Sequence, residues 1–193
     1  MTKYKTGHKD ETRRRIVKTA SRMFRAKGVE STTLPDVMSA AGLTVGGFYK
    51  HFESKDALFS EALAEALSGT SKLLALIDPA TTGDAWRAAA SSIYLTEAHR
   101  DNRAAGCAMA ALSGDLARAD DDVRQTFEQG LLNLIRGFET RMEGNDATRR
   151  AGAWRFLSSI LGGLILSRAV GGETISSEIL AACRGAFAKE SAT

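Results

Sequence analysis

The chain has 193 residues, 44% of them hydrophobic and 25% charged, enough to bury a real core in one or two small domains. No apolar run is long enough to span a membrane, and the polar, basic N-terminus lacks the apolar stretch of a secretory signal. Cys107 and Cys183 lie far apart and the three histidines are scattered, so neither a disulfide framework nor a metal site is expected, and the location expected is the cytoplasm.

Charge is uneven along the chain. The net charge is +3, yet residues 1–56 hold twelve Lys and Arg against six Asp and Glu. The remainder is slightly acidic. A basic front on a near-neutral body is the charge distribution of a nucleic-acid-binding head. Strand-like alternation is absent and alanine is abundant, so the fold class expected is all-α.

Residues 1–8, with Lys3 and Lys5, read as a loose polar end. A first helix is predicted over 9–27, with Ile16, Ala20, Met23 and Phe24 on its core face and Arg13, Arg14, Arg15 and Lys18 near its start. Gly28 stops it. Thr33 suits an N-cap, and Leu34-Pro35 opens a second helix with proline in its first turn. Val37, Met38 and Ala41 give that helix an apolar face, and Gly42 ends it. Thr44 then caps a third short helix in which Val45 and Phe48 face inward. Phe48 and Phe52 are expected to pack on Phe24 and Ile16. Two helices joined by a short glycine-containing turn form a helix-turn-helix, whose second helix enters the DNA major groove.

Gly46 and Gly47 stand in the first turn of that third helix, where each costs about 1 kcal/mol against Ala. A helix that must lie against a phosphate backbone or base edges has a use for both, because side chains would hold it away. Tyr49, Lys50 and His51 follow, all able to bond phosphate oxygens. Lys55 adds a cation at the next helix start, where backbone N–H groups suit an anion.

The run Thr44-Val45-Gly46-Gly47-Phe48-Tyr49-Lys50-His51-Phe52-Glu53-Ser54-Lys55-Asp56-Ala57-Leu58-Phe59 resembles the recognition helix and following helix start of TetR-family bacterial transcriptional regulators almost position by position. The resemblance covers roughly the first third of the chain. It implies a helix-turn-helix domain over 1–54 and a helical ligand-binding and dimerisation domain over 55–193, about nine helices in all. It also implies a homodimer on a palindromic duplex operator, released by a small-molecule effector, with repression as the default. In that picture Thr44, Tyr49, His51 and Lys55 clamp phosphates and Thr33 adds a backbone contact. Val45, Gly46, Gly47 and Lys50 face base edges or nearby phosphates. Lys50 is the candidate for a base contact, since lysine pairs with guanine acceptors.

Beyond the head, a long helix is predicted from Lys55 to about Ile77, with Leu58, Phe59, Ala62, Leu63, Ala66, Leu67, Leu73 and Leu74 on one side, stopped at Asp78-Pro79. The next spans about Asp84 to His99, with Trp86, Ala90, Ile93 and Tyr94 sharing a face. A weakly helical link over 100–105 leads to a helix from about Gly106 to Ala119. The acidic run Asp120-Asp121-Asp122 favours a helix N-terminus. It opens a helix carrying Val123, Phe127, Leu131, Leu134 and Phe138. Gly144-Asn145 precedes a helix over about 146–170, and Thr174 is expected to cap the last, which runs to about Lys189 with Ile175, Ile179, Leu180, Cys183 and Phe187 inward.

Trp86, Tyr94, Cys107, Met109, Phe127, Leu131, Trp154 and Phe156 are the candidates for lining an apolar effector cavity. The last two helices carry apolar and small faces on more than one side, with Gly162-Gly163 in mid-helix. They are expected to pair with their copies in a four-helix dimer interface through Trp154, Ser158, Leu161, Gly162, Ile179, Cys183 and Phe187. No metalloenzyme spacing, nucleophile triad or phosphate loop is present, so an enzyme is not expected and no cofactor is assigned. The alternatives kept are a ligand-independent DNA binder and a regulator that senses electrophiles through Cys107.

Overall fold

The computed structural model describes residues 3–187, without the side chains of residues 3–6 and Leu73. Lys3, Lys5 and Leu73 therefore enter only as backbone, and the expected helix end at Lys189 lies outside the described residues. Among the described residues nine α-helices and one 3-10 helix follow in chain order, and no strand forms.

Helix α1 (Lys3–Lys27) begins six residues ahead of the expected Lys9. Ile16, Ala20 and Phe24, one helical turn apart, are its buried stripe. Gly28 ends it at φ +83°. Helix α2 (Leu34–Ala40) starts where Thr33 accepts the Asp36 N–H on its side chain. It stops in a double-bonded turn: Leu43 N–H donates to the Met38 carbonyl, and Gly42 N–H donates to that of Ser39. Gly42 sits at φ +69°, so the turn has the geometry that a glycine at this position allows cheaply.

Helix α3 (Lys55–Leu74) follows, 20 residues long. Leu58, Phe59, Ala62, Leu63, Ala66 and Leu67 are buried along it. Its front packs on α1 and its length on α7 (Asp121–Glu139). The α3–α7 contact is close because of Gly130, where a Cβ would fall 2.5 Å from Leu67 Cδ1.

The helix expected over 84–99 is broken in two. Helix α4 (Gly83–Tyr94) ends at Leu95, and α5 (Glu97–Asp101) begins anew with Thr96 accepting the His99 N–H. Helices α6 (Ala108–Leu116), α8 (Asp146–Ala169) and α9 (Glu173–Gly185) complete the set. Gly172, not Thr174, is the N-cap of α9, and Ile175 points outward at 55% exposure instead of into the core. Only Ser176 and Leu180 are fully buried there.

The mid-helix glycine pair of α8 divides its work. Gly163 is buried, and a Cβ there would fall 2.8 Å from the Cys183 sulfur, so it lets α9 lie close on α8. Gly162 faces open space.

The loop from α4 to α6 is tied by His99. Its Nδ1 donates to the Tyr94 carbonyl at 2.7 Å, while Nε2 accepts the Cys107 N–H at 3.1 Å. Both bonds require the neutral ring with its proton on Nδ1. Burial, more than the nearby Arg168, pulls the His99 pKa below its usual 6.5, although the Tyr94 bond opposes this. A lowered native pKa means that the unfolded chain takes up the proton first. The His99 contribution is therefore complete above about pH 6.5 and lost as the pH falls towards the native value. Urea midpoints should fall between about pH 7.5 and 5.5, and His99→Gln should flatten that slope, leaving what His51 contributes. An unchanged slope in the variant would remove His99 from the titration.

Candidate nucleic-acid interface

The segment after the Gly42 turn is not the α-helix its sequence suggests but a 3-10 helix, Val45–Lys50. Two adjacent glycines make a continued α-helix costly, and the six residues are too few to repay nucleation. Thr44 leads in with extended backbone, and its side chain makes no capping bond. The Gly47 N–H bonds the Thr44 carbonyl at 3.0 Å.

One side chain fixes this turn to the protein. Phe48 is completely buried and stacks on Phe52 at 5.6 Å between ring centroids. Phe24 pairs instead with Phe59, edge to face at 5.2 Å. Val45, expected inside, is 42% exposed, and Tyr49 is 72% exposed. A 3-10 helix turns about 120° per residue, so only the residue three positions before or after shares the side of Phe48, and Val45 at the fraying first position escapes it. Gly46 is exposed, and a Cβ added there would meet nothing within 4 Å; one on Gly47 would meet only Met38 Cε at 3.8 Å. Neither glycine is demanded by packing inside the protomer.

Lys50 is exposed; His51 and Lys55 are half-buried beside it. Ser54 caps α3, its hydroxyl accepting the Ala57 N–H at 3.0 Å. This sets the positive end of a long helix next to Lys55. Burial first, then Lys9, Arg13 and Lys50, lowers the His51 pKa. That combination reports a locally positive field, which an anion would relieve. Of the expected DNA-facing residues here, Thr44, Val45, Gly46, Tyr49 and Lys50 are exposed, and Gly47, His51 and Lys55 are half-buried. Thr33 is exposed at the head of α2, but its hydroxyl is already engaged: it donates to Asp36 Oδ2 at 2.7 Å besides capping the helix.

Arg13 is the residue that sequence reasoning missed. From α1 it donates to the His51 carbonyl, pairs with Glu61 of α3 and lies over the Phe52 ring at 4.2 Å. It therefore ties together the three elements that meet at the turn. In the sequence it is one of four clustered cations, and nothing in that cluster singles it out.

The expected effector-cavity residues do not all line one cavity. Trp86, Phe138 and Phe156 form an aromatic cluster with centroid separations of 5.0 to 5.8 Å. Met109 and Tyr94 are wholly buried. Phe127, Leu131 and Trp154 are half-buried against the core. Trp86 borders a cavity of about 320 Å³ between α3, α4 and α7, with Leu74, Leu134 and Phe138. Cys107 borders a different one. Helical spacing identified these as inward residues, but core and cavity wall share that spacing.

Two of the expected interface residues pack within the protomer, Cys183 against Gly163 and Phe187 edge to face on Phe156. Ser158 is exposed, and Trp154, Leu161, Gly162, Ile179, Cys183 and Phe187 are half-buried. Ile165 and Leu166 of α8 and Ile175 of α9 are exposed by 36%, 57% and 55%.

Residues 16–62 match the family model described as bacterial regulatory proteins, tetR family. The chain is 49% identical over 51 residues to the HTH-type transcriptional regulator AcrR of Shigella flexneri, covering 26% of this chain and 24% of that protein. It is 45% identical over 51 residues to the probable acrEF/envCD operon repressor of Escherichia coli strain K12, covering 26% and 23%. The match thus spans about a quarter of the length of these relatives. Across nearly the whole length, the fold is that of a TetR transcriptional regulator from Chloroflexus aurantiacus, with a TM-score of 0.75, 21% identity and coverage of 94% and 96%. Residues 16–62, which hold the helix-turn-helix segment around the buried Phe48, are thus the part of the chain that is similar in sequence to TetR-family regulators.

Proposed function

We propose that the chain is a DNA-binding transcriptional regulator, acting as a repressor: a homodimer on a palindromic operator, released by a small-molecule effector. The observation that carries this is the Val45–Lys50 turn, held by the buried Phe48 while its two glycines face open space. The likeness to an operon repressor in the head supports repression. In this reading residues 1–54 read DNA and 55–193 bind effector and partner.

Gly46 and Gly47 let the backbone approach the groove floor. Thr44, Tyr49, His51 and Lys55 hold phosphates, and Lys50 reaches a guanine edge. Helix α3 carries the signal, since it begins at the phosphate-binding Lys55 and ends at the cavity bordered by Leu74 and Trp86. An effector acts only by binding the DNA-competent and DNA-incompetent spacings unequally.

The face of α8 opposite the core is the proposed partner surface. Arg155, Ser158, Gly162, Ile165, Leu166 and Ala169 lie along it at one-turn spacing. Pairing two such faces would cover the exposed Leu166 and Ile175 and explain a glycine that the protomer does not need. The spacing of two heads then sets the operator half-site separation.

Titration of a labelled duplex from the promoter beside the gene should give a saturable complex, and its absence on every neighbouring promoter would contradict the reading. Lys50→Ala should weaken that complex by about 1–3 kcal/mol and relax its sequence preference. Lys55→Ala should instead weaken all sequences alike and lower the salt slope by about one. Full affinity and selectivity in the first variant, or an unchanged slope in the second, would remove that residue from its role. A Cβ at Gly162 meets nothing within 4 Å, so in Gly162→Glu the protomer should keep its helicity while light scattering reports a monomer. A variant that stays dimeric would place the interface elsewhere.

A further inference from the structure

Glu61 stands on α3, about 9 Å along the helix axis from Lys55. Repulsion between a carboxylate and duplex phosphates survives over one Debye length, about 8 Å at physiological salt. By charge alone, then, loss of Glu61 tightens DNA binding. Its contacts argue for the opposite effect. The Arg13 guanidinium presents one edge to Glu61: Nε donates to Oε2 at 3.2 Å and Nη2 donates to Oε1. A carboxylate that accepts from both of those nitrogens fixes the plane of the guanidinium. The third nitrogen, Nη1, donates to the His51 carbonyl. The face of the same group lies over Phe52 at 4.2 Å, and Phe52 stacks on the buried Phe48. Edge, tip and face of Arg13 are therefore each held by a different residue. His51 closes the 3-10 turn, its N–H bonding the Phe48 carbonyl at 2.8 Å. Carbonyls at the end of a helical turn lack a partner within it, and Arg13 supplies one. The Arg13 and Glu61 side chains are 36% and 43% exposed, so the pair adds little to folding stability. What it fixes is where the end of the turn stands.

We infer that Glu61 is a positioning residue for DNA binding: it orients Arg13, which holds the last carbonyl of the Val45–Lys50 turn, so that an acid in the head favours attachment to a polyanion. Glu61 does not touch the duplex and acts only through Arg13. The inference rests on the reading of that turn as the DNA-facing segment. The two effects of Glu61 have opposite signs, and this separates them. Removing its charge tightens the complex; removing its hold on Arg13 weakens it. Glu53 is the matched control, an exposed acid two residues after His51 that takes no part in this contact.

The test measures promoter-duplex affinity of the full chain and its variants by fluorescence anisotropy. Glu61→Ala should bind at least about fivefold more weakly than the unaltered chain, although alanine suits the helix and the fold is kept. Glu53→Ala, the same change of charge, should bind as tightly or more tightly. Glu61→Gln has the charge of the alanine variant but keeps one acceptor oxygen for Arg13, so it should bind at least about twofold tighter than Glu61→Ala. The double variant Arg13→Ala/Glu61→Ala should bind no more weakly than Arg13→Ala, because the second loss acts only through the first. A further arm uses no DNA: amide hydrogen exchange over residues 45–52 should speed up at least about threefold in Glu61→Ala, with α8 unchanged. Glu61→Ala binding as tightly as the unaltered chain, or more tightly, would overturn the inference and leave the DNA reading intact. So would a double variant weakened by the product of the two single losses, or unchanged exchange over 45–52. Absence of any complex with the unaltered chain would instead cost the DNA reading itself.

Discussion

Burial of one ring, Phe48, is the constraint on which the head depends. Removing a fully buried phenylalanine typically costs about 3–5 kcal/mol, more than the roughly 2 kcal/mol of helix propensity that two glycines forgo. The turn can therefore be poor as a helix and still be well placed. Its position comes from the side chain beneath it, while its outer surface is left bare. Arg13 adds the lateral hold, joining α1, the His51 carbonyl and Glu61 of α3. Its worth lies in fixing geometry, because a half-exposed ion pair alone contributes little.

The same logic of close approach recurs in the body. Gly130 admits Leu67 and brings α7 against α3; Gly163 admits Cys183 and brings α9 against α8. The first of these contacts holds α3 along α7, with the helix-turn-helix segment at one end of α3 and the Trp86 cavity at the other. A second tie, Arg25 to Ala104, joins α1 to the loop carrying Cys107. Occupancy of either cavity can thus reach the head through packed elements, provided the ligand distinguishes two arrangements of them.

Much of this was legible in the sequence. Caps and stops are local chemistry, so Thr33, Gly28, Gly42 and Asn145 mark helix ends correctly. The apolar stripes of α1 and α3 follow from their spacing. The errors have equally local causes. Thr96 interrupts a stretch with good helical periodicity by capping a new helix, and apolar spacing does not register a cap. Val45 and Ile175 are apolar but lie at the first turns of their elements, where the inward face is not yet established. The cavity was harder still. Inward-facing residues can be read from a helical wheel, but which of them border empty space depends on how neighbouring helices stack. Arg13 was hidden for a similar reason, since its partners lie 38 and 48 residues away.

Gly46 gives the most direct test of the central claim, that the turn is bare because DNA must approach it. A Cβ added there meets nothing within 4 Å in the protomer, so the melting measurement checks that the larger side chain is also accepted. The measurement is promoter-duplex affinity of Gly46→Leu by fluorescence anisotropy, alongside its thermal melting. The account predicts unchanged or raised melting and affinity weakened at least about tenfold, the cost of losing a close backbone approach at about 1.4 kcal/mol per decade. A folded Gly46→Leu protein that binds the duplex as tightly as the unaltered chain would contradict it.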